Sequence, residues 1–237
     1  MKTVALIPAY NAGKTIEQVV KRIPKDAINQ IIIVNDGSKD NTADVLSNLK
    51  KEYKNLKILI HEKNMGYGAA QKTLYKESLK TNADYIIILH ADKQHYPEEI
   101  PSLITPLIEK KADVIMGSRT LMIKKLKDRQ GMPLYKYIGS KFLTFLENIK
   151  FGTKLSTFHS GYRACTRTVL ENTDFDKLTD GYTYDTEFLW EAHKKKYKIG
   201  EVPVKTYYGD DLGSHVNVIG YTLKILKLVF LPAKKKR

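Results

Sequence analysis

The chain has 237 residues, 42% of them hydrophobic, and its 40 Lys and Arg against 26 Asp and Glu give a net charge of +14. It is long enough to bury a sizeable core as one α/β domain, and its charge points to anionic partners without choosing among nucleotide, nucleic acid and membrane. The lone Cys165 excludes an internal disulfide and a multi-Cys zinc site, which makes a reducing, cytoplasmic compartment the default expectation.

Met1 to Pro8 carries too short an apolar run for a signal peptide and reads as a buried first strand. Further short apolar runs follow at Ile31–Val34, Ile58–Ile60, Tyr85–Leu89 and Val114–Met116, each bounded by turn residues. Such runs are buried parallel strands. Between them Ile16, Val19, Val20 and Ile23, and then Val45, Leu46 and Leu49, fall at helical spacing and predict crossover helices. The alternation predicts an open, mostly parallel, Rossmann-like sheet flanked by helices. From about Leu121 the regularity breaks into a basic stretch at Lys124–Arg129, a helical segment over Leu134–Ile149, the segment Ser160–Ala164, and a last βα tract ending at Ile199–Val204. No repeat or Pro/Gly-rich linker appears, so a single domain over 1–237 is expected, with a nucleotide-binding half to 120, an acceptor half over 121–215 and an amphipathic basic tail over 216–237.

In an open α/β sheet, ligands bind beyond the carboxyl ends of the strands, so the loops after each run carry the chemistry. Ala12-Gly13-Lys14-Thr15 resembles the tail of a phosphate-binding P-loop, but Pro8 stands where that loop needs glycine. Gly66-Tyr67-Gly68 lacks the third glycine of a dinucleotide fingerprint and reads as a tight turn. Asp36 ends an apolar strand, where a carboxylate suits a nucleobase or ribose hydroxyl; Asp40 or Asn41 behind it would cap the next helix. His90, Asp92 and Gln94 alternate at a strand end and would share one face, a mixed N and O donor set suited to Mn²⁺ or Mg²⁺. The competing reading is a polar strand end leading to the helix after Pro97. Asp185 and Glu187 fit either a general base or two acids at a helix start. Arg119, Arg129 and Arg163 have the forked donors that match phosphate oxygens, against a default of surface solvation.

Taken together, Pro8-Ala9-Tyr10-Asn11, Val34 to Thr42, Asn64 to Gly68, Ala91-Asp92-Lys93-Gln94-His95, Gly117-Ser118-Arg119, Ser160 to Ala164 and Glu201-Val202-Pro203 resemble family 2 glycosyltransferases, in particular their dolichol-phosphate-mannose-synthase-like branch. The resemblance implies a glycosyltransferase A (GT-A) fold, a divalent cation, and inverting transfer of a hexose from a nucleotide diphosphate-sugar. By motif position Pro8, Tyr10, Asn11, Asp36 and Gly66 should line the nucleotide, Arg119, Arg129 and Arg163 the phosphates, and Asp92 and Gln94 the metal. His90 stands where the family usually has Asp and removes one negative charge, though imidazole also ligates Mn²⁺. A polyprenyl or dolichyl phosphate acceptor is favoured because its oxygen is already anionic; a sugar hydroxyl would call on Asp185 as base.

The tail carries Val216, Ile219, Leu223, Leu226 and Phe230 at helical spacing, with Lys224, Lys227 and Lys234–Arg237 beside them. That pattern fits an interfacial helix on anionic lipid, and a peripheral place on the cytoplasmic face of a membrane, as well as it fits a packing helix. No aromatic-basic nucleic-acid motif is present, so nucleic acid is not an expected partner; a non-catalytic protein that binds nucleotide-sugar or nucleic acid through its basic surface is the alternative class.

Overall fold

A computed structural model describes residues 1–129, 131–207 and 218–230. Seven strands form one sheet: β1 (Thr3–Ala9), β2 (Gln30–Asp36), β3 (Leu56–His61), β4 (Tyr85–Ile88), β5 (Val114–Ser118), β6 (Arg163–Thr166) and β7 (Ile199–Pro203), in the order β3-β2-β1-β4-β6-β5-β7. Every pairing is parallel except those of β6, which runs antiparallel between β4 and β5.

The first five strands coincide with the apolar runs, and β1, β2, β4 and β5 are buried as continuous hydrophobicity demands; β3, expected to be buried as well, is the edge strand and leaves Ile60 72% exposed. In β1 and β2, Ala5, Ile7, Ile31 and Ile33 enter one core, and Val4, Leu6, Ile32 and Val34 enter the other. The helices α1 (Ile16–Lys21), α2 (Thr42–Glu52) and α4 (Ile100–Ile108) supply apolar faces to the first core; α3 (Tyr67–Leu79), α6 (Arg167–Asn172) and α7 (Tyr184–Lys194) supply the second. Two more helices, α5 (Leu134–Phe151) and α8 (Val218–Phe230), pack on each other through Leu143, Ile225 and Val229.

The P-loop-like segment makes no phosphate cradle, because the Ala12 amide donates to Thr42 Oγ1 and the Gly13 amide to Asp40 Oδ2. Asp40 also accepts from the Thr42 amide at the start of α2, the helix-start role expected of it. Among the described residues no helix is long and apolar enough to cross a membrane. Val216 and Lys234–Arg237, on which the reading of the tail partly rests, lie outside the described residues.

Candidate active site

At the carboxyl rim of β1 and β2 the two loops hold each other. Asn11, in left-handed backbone at φ 50, donates its amide to Ser38 Oγ and accepts the Lys39 amide on Oδ1, both at 2.9 Å. Pro8 lies within β1 opposite Val34, and Tyr10 follows, half-buried. Asp36 is not the free carboxylate expected of a nucleoside ligand. It is 3% exposed; Oδ1 meets His61 Nδ1 at 2.6 Å and accepts the Met65 amide, while Oδ2 accepts the Gly66 amide at 3.1 Å. It therefore shapes the loop before α3, holding Gly66 at φ 100. A Cβ on Gly66 would stand 2.6 Å from the Asp180 carbonyl, so glycine is what lets the segment before α7 close over this loop. In that segment Tyr182 stacks on Tyr67 with ring centroids 5.5 Å apart, and burial and then the nearby Asp36 and Tyr10 push its hydroxyl above the ordinary tyrosine value.

Beneath the rim lies a buried polar network that the strand β6 creates. Arg163 was expected at the phosphates, yet it is 1% exposed and cannot reach them. As a residue of the antiparallel β6, paired with Ile88 and Met116, it sends its guanidinium to Asp185, Gln71 Oε1 and the Tyr75 hydroxyl, with the Phe188 ring 4.7 Å away. Asp185, in the first turn of α7, is equally committed: Oδ1 takes Arg163 and the Gln71 side-chain amide, and Oδ2 accepts the Tyr67 hydroxyl at 3.0 Å. A carboxylate so engaged offers little to an incoming hydroxyl as a base, and the helix-start reading of the pair fits better. Glu187 likewise turns back to the Thr179 amide and the Thr183 hydroxyl.

Tyr67 links this network to the rim. Its single proton goes to Asp185, so the Tyr67 oxygen accepts from His90 Nε2 at 2.9 Å. Burial holds the Tyr67 hydroxyl well above the ordinary tyrosine value, which keeps that proton in place. Nε2 of His90 thus carries the hydrogen, and Nδ1 is left as its lone-pair nitrogen. A carboxylate-backed orientation of this sort is what metal-ligating histidines use. Gly161 packs directly against this ring, where any Cβ would overlap His90 Nε2. Beyond it Asp92 is exposed, with Oδ1 accepting the Gln94 amide at 2.9 Å, and Lys93 between them takes left-handed backbone at φ 62. β4 ends at Ile88 and residues 91–93 turn, so the strand alternation expected to put His90, Asp92 and Gln94 on one face is absent; the donor types alone are those that suit Mn²⁺ or Mg²⁺. Among the described residues no group of three or more His, Cys, Asp or Glu stands ready for a metal, so a cation here would draw further ligands from a bound phosphate group.

Arg119 follows β5 at the same rim. It is close enough to His95 and Tyr221 to act on both electrostatically, although burial is the larger cause holding the His95 ring well below the ordinary histidine value. His95 stacks on Tyr162 at 4.9 Å, and its buried Nδ1 has no hydrogen-bond partner among the described residues. Arg129 is half-buried and donates Nε to the Met132 carbonyl, 3.1 Å away. Sequence reasoning gave no role to Tyr67, Gln71, Gly161 or Tyr182, and only the glycines around Tyr67 hinted at a close approach.

The sheet is mostly parallel with one antiparallel strand, and Asp92, Gln94 and Arg119 lie in the loops that follow β4 and β5. The chain belongs to glycosyl transferase family 2, whose model matches residues 4–173. It is 35% identical to the UDP-N-acetylglucosamine–dolichyl-phosphate N-acetylglucosaminyltransferase of Methanococcus voltae, over 94% of this chain and 95% of that protein. Its fold is that of glucosyl-3-phosphoglycerate synthase from Mycobacterium tuberculosis with phosphoglyceric acid (TM-score 0.72, 17% identity, 96% of this chain and 78% of that one). The same enzyme with Mn²⁺, UDP and glucosyl-3-phosphoglycerate also matches (TM-score 0.65, 16% identity, 96% and 79%). The protein is thus a glycosyltransferase of GT-A fold, as the motifs imply.

Proposed function

We propose that this glycosyltransferase moves one sugar, with inversion, from a UDP-linked donor to a polyprenyl phosphate. The observation that carries this reading is the similarity, over nearly the whole of both chains, to a transferase named for UDP-N-acetylglucosamine and dolichyl phosphate. Either N-acetylglucosamine or a hexose is accommodated by the reading. The commitment of Asp185 to Arg163, Gln71 and Tyr67 supports it, because an anionic phosphate oxygen needs no base to attack an anomeric carbon, whereas a sugar hydroxyl does.

In this reading Pro8, Tyr10 and Asn11 line the nucleoside, and Asp36 and Gly66 hold the loop that closes over it. Arg119 and Arg129 meet the diphosphate as it departs. Asp92 and Gln94 hold the divalent cation with His90 Nδ1 beside them; when bound, that cation neutralises charge growing on the leaving diphosphate. Asp185 takes the role of orienting His90 through Tyr67, and Arg163 that of fixing Asp185.

The test is transfer of radiolabel from UDP-N-acetylglucosamine, UDP-glucose and GDP-mannose, each with Mn²⁺ and polyprenyl phosphate. Label from a UDP-sugar is expected in the organic phase, in a product split by mild acid, and EDTA should abolish it. Transfer only to water-soluble glycans, or only from GDP-mannose, would refute the proposal.

A further inference from the structure

The helix α5 buries one side and leaves the other apolar. Leu143, Thr144, Glu147 and Phe151 face inward, whereas Leu134, Tyr135, Ile138, Phe142, Phe145 and Ile149 are all exposed, the last five between 57% and 66%. At about 100° per residue those six fall within an arc of about 100°, opposite the inward side, with exposed Lys141 at one margin and Lys150 at the other. Six large apolar side chains on one exposed stripe are not the scatter of single residues that any surface shows.

The neighbouring α8 repeats the arrangement. Ile225 and Val229 pack on α5, while Ile219, Leu223 and Phe230 are exposed and Lys224 and Lys227 lie alongside. On both helices the exposed stripe adjoins residues of the shared seam, Leu146 on α5 and Leu226 on α8, and points away from the sheet. The result is one outward apolar surface spanning two helices. Its charge is of one sign: the only acid on either helix is Glu147, which is fully buried, whereas Lys136, Lys141, Lys150, Lys224 and Lys227 are cationic.

We propose that α5 and α8 together form a platform that lies on an anionic lipid bilayer, their apolar stripes sunk among the acyl chains and their lysines at the headgroups. A second copy of this chain would bring the same lysines against each other, while an anionic surface complements them, and neither helix is long and apolar enough to span. The platform borders the site. The ring of His159, beyond α5, meets Tyr221 of α8 at 5.6 Å, and Tyr221 lies within electrostatic reach of Asp185 and Arg119. A bilayer there would present a lipid phosphate to the rim, a geometry that deepens, and for its purpose rests on, the reading of a polyprenyl-phosphate acceptor.

The test is co-sedimentation of the full chain with phosphatidylcholine vesicles, with and without phosphatidylglycerol. The protein should bind the anionic vesicles, less as salt is raised, and the double variant Phe142→Gln, Phe145→Gln should lose roughly tenfold or more of that affinity. Both positions are exposed, so melting temperature and donor-induced thermal shift should stay as in the parent. Vesicle binding unchanged in this variant overturns the platform, and so does a stable dimer in vesicle-free solution that the two substitutions dissociate. Vesicle binding lost in the variant, in a protein that gives no sugar-lipid product, upholds the platform and refutes the acceptor instead.

Discussion

Two carboxylates near one rim, Asp92 and Asp185, have the same chemistry and opposite circumstances. Asp185 is buried, with both oxygens taken by Arg163, Gln71 and Tyr67; Asp92 is exposed, and among the described residues it accepts a hydrogen bond from the neighbouring Gln94 amide. A buried acid with both oxygens engaged by donors is part of the scaffold, and an exposed acid held in an unusual turn is available to a ligand. Asp36 sorts with the first kind: it looked like a ligand by position, and its hydrogen bonds make it a loop organiser.

Substitution breaks this comparison most sharply at Asp185. Asp185→Asn removes one partner of a buried ion pair and should destabilise the fold by about 3–5 kcal/mol, read as a large fall in denaturant midpoint, with activity lost because the protein melts. A variant that keeps its midpoint would refute the scaffold role of Asp185. Asp92→Asn should do the reverse. Its melting curve should stay within about 0.5 kcal/mol of the parent, since it only neutralises an exposed side chain, while turnover falls by roughly 10²-fold or more and the Mn²⁺ requirement rises. Equal turnover in this variant would remove Asp92 from the cation site.

Tyr67→Phe tests the link between the two regions and should have the smallest effect. It takes away the hydroxyl between Asp185 and His90 and keeps the ring that stacks on Tyr182. Turnover should drop about tenfold, as when an outer partner of a metal ligand is lost, with a weaker apparent affinity for Mn²⁺. A loss of turnover with Mn²⁺ affinity unchanged would separate His90 from the cation.

The strand runs and the loops after them were legible in sequence because each is a local pattern. Continuous apolar residues mark a strand buried on both faces, and a break in that pattern at Asn35-Asp36-Gly37 or His90-Ala91-Asp92 marks the rim. The helix over α5 was legible too, but not what its face meets, because periodicity gives a stripe and not the side that is covered. The segment Ser160–Ala164 misled for a different reason. Its forked donors alone offered Arg163 to phosphate, and only the pairing of β6 between β4 and β5 turns that side chain into the interior.

What the sequence determined by itself is therefore the α/β alternation, the family, and the set of rim loops on which the proposed site rests. Tertiary structure alone decided which charged residues stay free. Whether an Asp or Arg keeps its charge for a ligand depends on partners far along the chain, such as Gln71 for Asp185 or His61 for Asp36, and no local pattern encodes those distances.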